Sequence, residues 1–349
     1  MNTIEGFPNP PKGYYKVYVN TITYNQSRYI EDCLDGVLMQ KTNFPFIHHV
    51  IDDCSLDSEQ DVIKTWIEKK CDISTLENYD NDICTIIIAK AKDNPSYTIA
   101  AYFLKRNLWT KPREKEALYT IWQEVCTYEA LCEGDDYWIH PMKLQQQVEV
   151  LDKDPSISMV YSDFQTVDYK NNPITRDYFE NCKIISSKQP QFSTLLLQFN
   201  FICTPTVIIR IKCLDSIFIK KSPRLFDYSL FLSASVMGRM VYLDTQTAAY
   251  RQTPGSAMNS DSASVFNNWA YEVRLYFVCV WNKGFIPSNL INIYDSTCRD
   301  ALITTLLDSR NKNRILHFFM LLVHYPSLIV DAGVLISKLI CRKFLRIIK

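Results

Sequence analysis

The segment Tyr128-Glu129-Ala130-Leu131-Cys132-Glu133-Gly134-Asp135-Asp136-Tyr137-Trp138 joins a short apolar run to three carboxylates within four residues. A run of this length, ended by a turn residue, reads as a buried strand and puts the acidic cluster at its end. Carboxylates that converge repel one another unless a hard cation or hydrogen-bond donors offset their charge. Magnesium or manganese holding a diphosphate is one reading. A turn whose acids face water or cap the next helix is the other.

Upstream, Val17 to Thr23 alternates as a strand and Tyr24-Asn25-Gln26-Ser27 follows as a turn. Apolar residues at 29, 30, 33, 34, 37 and 38 then recur with helical spacing. Phe46 to Ile51 reads as a second strand ended by Asp52-Asp53-Cys54-Ser55, and a helix with Val62, Ile63, Trp66 and Ile67 on one face comes next. Ile83 to Ala89 is a third strand. This order predicts an α/β fold with a mostly parallel central sheet flanked by helices. Ligands of such sheets sit beyond the carboxyl ends of the strands, where Thr23-Tyr24-Asn25, Asp52-Asp53 and Glu133 to Asp136 all fall.

Residues 93 to 126 read as a surface excursion, basic from Lys105 to Lys115, with a helix between Glu114 and Cys126. A helix from Pro141 to Leu151 follows the acidic segment, with Pro141 at its first position. Further strands are expected at Ser158 to Phe164, Thr206 to Ile211 and Met240 to Leu243. Asp227 stands at or near the cap of a helix between the last two.

Composition narrows the function. With 349 residues and 47% apolar content the chain has ample core. Its eight glycines include neither GxGxxG nor GxxxxGK[ST], which excludes the fingerprints of a dinucleotide-binding loop and of a P-loop. A phosphate here is expected on a metal and side chains. Twelve cysteines without a CxxC pair read as reduced core residues rather than a disulfide framework or a zinc site. Met1 to Lys16 lacks the apolar region of a signal peptide, so a cytoplasmic protein is expected.

Together these segments resemble the inverting glycosyltransferases of family 2, of the bacterial surface-polysaccharide type, which have the GT-A fold. The resemblance runs from about Lys16 to Ser256. It rests on Thr23-Tyr24-Asn25, Leu38-Met39-Gln40-Lys41-Thr42, Asp52-Asp53-Cys54-Ser55-Leu56-Asp57 and Leu131 to Trp138. In the last of these, Glu133 replaces the first Asp of the family's DxD motif. The resemblance implies that Thr23, Tyr24, Asn25 and Asp53 hold the nucleoside, with Glu133 meeting the ribose or the metal. It implies that Asp135 and Asp136 bind Mg2+ or Mn2+, and that Asp227 is the catalytic base. The donor would be a nucleotide sugar, UDP-linked foremost, and the acceptor a glycan or lipid-linked hydroxyl. Thr253, in Tyr250-Arg251-Gln252-Thr253, stands where many relatives place a metal-binding His. Arg251 reads as a diphosphate contact or a surface ion pair.

The domain organisation expected is an N-terminal extension over 1–15, a GT-A domain over 16–256 and a helical C-terminal region over 257–349. From Arg310 onward there are eight Lys or Arg against one acid, Asp331, in a chain of zero net charge. Lys338 to Lys349 alternates basic and apolar residues at helical spacing, the pattern of a helix lying on an anionic membrane surface. A packing helix or dimer contact is the alternative. Nucleic-acid binding is not expected, because the basic residues lack interleaved stacking aromatics. Two competing functions are a sugar nucleotidyltransferase, which needs a glycine-rich loop absent here, and a non-catalytic scaffold.

Overall fold

The structure, a computed structural model, describes residues 6–109, 111–189, 192–197, 200–214 and 227–254, with Val273, Ile315, Leu316 and Phe319 as isolated positions. The expected helical region over 257–349 and its basic tail otherwise lie outside the described residues. Two compact units are present. The first comprises Met1–Gln189, Phe201–Asp215 and Ala234–Thr253, and the second Pro190–Asn200, Ser216–Ser233 and Pro254–Lys349.

The strands are β1 (Val17–Thr23), β2 (Phe46–Asp52), β3 (Cys71–Asp80), β4 (Cys84–Ala91), β5 (Tyr97–Leu104), β6 (Tyr128–Leu131), β7 (Tyr137–Trp138), β8 (Ile157–Asp168), β9 (Ile208–Arg210) and β10 (Arg239–Gln252). They form one sheet in the order β3-β4-β5-β2-β1-β6-β9-β8-β10-β7. The helices are α1 (Ile30–Leu38), α2 (Glu59–Lys70), α3 (Pro112–Gln123), α4 (Lys143–Lys153), α5 (Asp177–Ser187), α6 (Phe192–Leu197) and α7 (Asp227–Met237). Strand direction is mixed along the sheet. The block β5-β2-β1-β6 is parallel, as is β8 with β10, whereas β3, β4, β7 and β9 pair antiparallel with their neighbours.

Alternation along β1 builds both layers of the core. Val17 and Val19 face a cluster completed by Cys33, Leu34 and Val37 of α1, Ile63 and Trp66 of α2, and Leu144 and Val148 of α4. Tyr18 faces the other side, with Leu118 and Trp122 of α3. Tyr15 packs there too, edge-on to Trp122 at 6.1 Å, and Phe7 joins the same cluster.

The reading of 93 to 126 as a surface excursion is corrected by β5. All eight of its residues are buried, between β4 and β2 in the sheet. Tyr-Thr-Ile-Ala-Ala-Tyr-Phe-Leu has no alternation because it is covered on both faces, the pattern of an inner strand. Burying one large apolar side chain is worth about 1.5–3 kcal/mol, which outweighs the basic segment that follows. Helix α4 begins at Lys143, so Pro141 precedes it instead of opening it.

Candidate active site

The parallel block aims the carboxyl ends of β2, β1 and β6 at one edge. Thr23 pairs with Asp52 across β1 and β2, so Asp53 follows directly beside the Tyr24 turn, and Asp53 N–H donates to Thr23 O at 3.0 Å. Strand β6 stops opposite Asn20, but its continuation still follows β1: Cys132 N–H donates to Asn20 O at 3.1 Å and Gly134 N–H to Ile22 O at 3.2 Å. Gly134 is required here, because a Cβ would run into the Thr23 hydroxyl and the Gln26 side-chain oxygen. The acidic turn and the Tyr24 turn are therefore packed surface to surface.

Within the acidic turn the carboxylates differ. Asp136 is 2% exposed, and its Oδ1 accepts the backbone N–H of Arg251 at 2.8 Å. Burial first, then repulsion from Asp135 and Glu133, pushes its carboxyl well above the usual range. Asp135 and Glu133 are half-buried. Burial also raises Asp135, opposed by the charge of Arg251 and by hydrogen bonds from Thr253 and Gln26. Thr253 Oγ1 lies 3.4 Å from Asp135 Oδ2. This contact follows from the antiparallel pairing of β7 with β10, which sets Tyr137 against Ala249 and carries the end of β10 past the turn.

Arg251 is buried instead of standing at the surface. It is 2% exposed, with its guanidinium 4.7 Å from the Tyr29 ring centre and 5.0 Å from that of Tyr137. Its Nη1 donates to Asp135 O at 2.8 Å, and its Nη2 reaches Asn171 Oδ1 at 2.8 Å and the Asp32 carboxylate.

Among the residues expected to hold the nucleoside, Tyr24 is 43% exposed and Asn25 exposed, while Thr23 and Asp53 are each 2% exposed. Asn25 adopts the left-handed region at φ 55° and ties the two turns: its N–H donates to Ser55 Oγ at 2.9 Å, and its Oδ1 accepts Leu56 N–H at 2.8 Å. Asp53 accepts Leu108 N–H at 2.7 Å through Oδ1 and pairs through Oδ2 with buried Lys115 at 2.6 Å. Those bonds anchor the loop after β5, which presents Trp109 60% exposed. Asp227 belongs to the second unit. It opens α7, where its Oδ1 accepts Tyr228 N–H at 2.6 Å and its Oδ2 accepts from Asn200 Nδ2 at 2.9 Å.

Sequence reasoning missed Glu59, Gln26, Lys115 and the structural role of Arg251. The spacing of Ser55 and Glu59 was a readable sign of a contact, and Ser55 Oγ does donate to Glu59 Oε2 at 2.8 Å. Nothing local pointed to Lys115, which meets Asp53 across 62 residues.

Among the described residues no group of three His, Cys, Asp or Glu side chains forms a ready-made metal cage. The residues present fit a hard cation completed by its substrate, with one carboxylate at Asp135, the Thr253 hydroxyl beside it, and phosphates and water supplying the rest. Among the described residues no cysteine forms a disulfide.

No family model matches the chain. It is 27% identical over 233 residues to uncharacterized proteins of Mycobacterium tuberculosis and Mycobacterium bovis, covering 66% of this chain and 57% of theirs. The chain thus spans little more than half the length of these curated relatives. Among solved structures, Staphylococcus aureus TarS 1-349 in complex with UDP-GlcNAc superposes with a TM-score of 0.53 at 17% identity, over 88% of this chain and 79% of that one. The mannosyltransferase PcManGT from Pyrobaculum calidifontis, in complex with GDP-Man and Mn2+, gives 0.52 at 14% identity, over 96% and 83%. At such identities the likeness is one of fold. The chain has the GT-A glycosyltransferase fold.

Proposed function

We propose that the protein is an inverting glycosyltransferase that moves a sugar from a nucleotide-diphosphate donor, UDP-linked foremost, to a glycan or lipid-linked hydroxyl. The observation that carries this is the acidic turn packed through Gly134 against the Tyr24 turn, at the carboxyl ends of adjacent parallel strands. That both solved relatives were captured with nucleotide sugars supports the same reading.

Tyr24 packs against the base or ribose, Thr23 and Asn25 shape the turn beneath it, and Asp53 acts together with the Leu108–Trp109 loop it anchors. Asp135, flanked by Glu133 and Thr253, holds Mg2+ or Mn2+. When bound, such a cation offsets the negative charge that develops on the leaving nucleoside diphosphate. Asp136 keeps the turn in shape through its bond to Arg251. Asp227 removes the proton from the acceptor hydroxyl as the new bond forms, because a neutral hydroxyl is a weak nucleophile. A single displacement inverts the anomeric carbon.

The test is calorimetric titration with UDP and with GDP, each with manganese and with chelator. Cation-dependent binding of one nucleotide is the expected result, and it selects the donor class. Absence of binding by both removes the reading and favours a non-catalytic scaffold. For the basic tail the proposed partner is an anionic membrane surface on the inner face of the cell membrane. Deletion after Ser337 is expected to weaken sedimentation with anionic vesicles, and equal partitioning removes that partner. Among the described residues no helix is long and apolar enough to cross a membrane.

A further inference from the structure

Glu59 is the first residue of α2 and is fully buried. A carboxylate at a helix start ordinarily accepts from its own helix's free N–H groups or faces water. Both oxygens of Glu59 point elsewhere. Its Oε2 accepts Gln26 N–H at 2.9 Å and Ser55 Oγ–H at 2.8 Å, and its Oε1 takes the Thr23 hydroxyl. One buried carboxylate therefore joins the end of β1, the Tyr24 turn and the turn after β2.

The connection continues. The Thr23 hydroxyl is also 2.8 Å from Gln26 Oε1, and the Gln26 side chain lies near enough to the Asp135 carboxyl to draw its pKa down. Gly134 fits against this same Thr23–Gln26 pair. From these contacts we infer that Glu59 is a positioning residue for donor binding: it sets the Tyr24 turn and, through Gln26, the Asp135 carboxylate in one mutual arrangement. The inference rests on the proposed glycosyltransferase reading for its ligand, and on the hydrogen bonds alone for its mechanics.

Glu59 needs to accept, not to be charged. In Glu59→Gln the amide oxygen still accepts from Gln26 and Ser55, while its N–H₂ donates to Thr23 Oγ1, whose proton turns to Gln26 Oε1. In Glu59→Ala the Gln26 N–H and the Ser55 hydroxyl lose their buried acceptor, while the Thr23 proton turns to Gln26 Oε1. One such loss corresponds to a factor on the order of 10 in an equilibrium. Ile63→Ala, a cavity in the same helix away from the network, controls for general loosening.

The experiment compares the four full-length proteins by amide hydrogen exchange and by UDP and GDP titration with manganese. Glu59→Ala is expected to speed exchange at Gln26 and across 54–57 and to weaken nucleotide affinity by about 10-fold or more. Glu59→Gln should stay within about 3-fold of wild type, and Ile63→Ala should keep wild-type affinity despite lower stability. Wild-type exchange in Glu59→Ala overturns the mechanical inference, and faster exchange with unchanged affinity overturns its link to the donor. An Ile63→Ala loss as large as that of Glu59→Ala also overturns it, by reducing Glu59 to ordinary stability. A wild-type protein that binds neither nucleotide overturns the functional reading instead, while the exchange comparison still decides whether Glu59 holds the turns.

Discussion

Arg251 Nη1 donates to the carbonyl oxygen of Asp135 at 2.8 Å, so the guanidinium grips the acidic turn by its backbone and leaves the Asp135 carboxylate to other partners. The N–H of the same residue meets the Asp136 carboxylate at 2.8 Å. A cation buried between two tyrosine rings thereby serves as the clamp of an anionic turn. Arg251→Met removes the fork and leaves the Asp135 carbonyl and Asp32 without it. The expected cost is about 3 kcal/mol, at the low end for breaking a buried pair because Asp32 is partly exposed. Urea unfolding measures it, and a loss under about 0.5 kcal/mol rejects the clamp.

The two adjacent aspartates should separate functionally. Asp135→Asn is expected to abolish cation-dependent nucleotide binding, whereas Asp136→Asn, which keeps an acceptor for Arg251 N–H, should retain most of it. Calorimetry with manganese and with chelator reads both. Equal losses in the two variants would return Asp136 to the cation.

Asp227→Asn should leave donor affinity nearly intact and lower sugar transfer by about 100-fold or more, the range for loss of a general base. Single-turnover transfer from a labelled donor is the measurement. A fully active variant assigns the base to another residue.

Gly134→Ala places a methyl group against Thr23 Oγ1 and Gln26. Overpacking of this kind costs about 1–3 kcal/mol, and relief requires the acidic turn to move off β1. Thermal unfolding and nucleotide titration should both worsen. Unchanged affinity with lowered stability would mean that the turn's position against β1 is irrelevant to binding.

Lys143 supplies a pH test of the core beneath the site. Its amine is fully buried, bonded to Gln147 Oε1 at 2.8 Å and 4.3 Å from the Trp138 ring centre, and burial lowers its pKa to about 7 from 10.5. Between those values the unfolded chain carries a proton that the folded chain lacks, so this group makes stability rise with pH from about 7 to about 10.5. In Lys143→Met that rise is removed, and the gain over wild type should be larger at pH 6 than at pH 9. Parallel urea midpoints across that range in the two proteins would contradict it.

Much of the fold was readable because its elements are locally encoded. Strand β1 was read to its residue limits, and α1 and α2 were found by the apolar residues of one face, since one-sided burial leaves a period in the sequence. Strand β5 was not readable, because burial on both faces erases alternation, and β3 was hidden by its exposed, polar edge position. The acidic turn, the Tyr24 turn and the Asp52-Asp53 turn were found by their composition. Their packing through Gly134 was not.

The sequence by itself determined which polar segments end which strands, since local hydrophobic pattern and turn chemistry set element order. Tertiary structure decided what each carboxylate does. Asp136 faces inward because β7 registers against β10, Asp53 is paired because α3 brings Lys115 to it, and Glu59 joins two turns because α2 starts beneath both. These roles depend on contacts between residues from 4 to 115 positions apart, most of them more than 30 apart, and only the folded chain brings such residues within hydrogen-bond range.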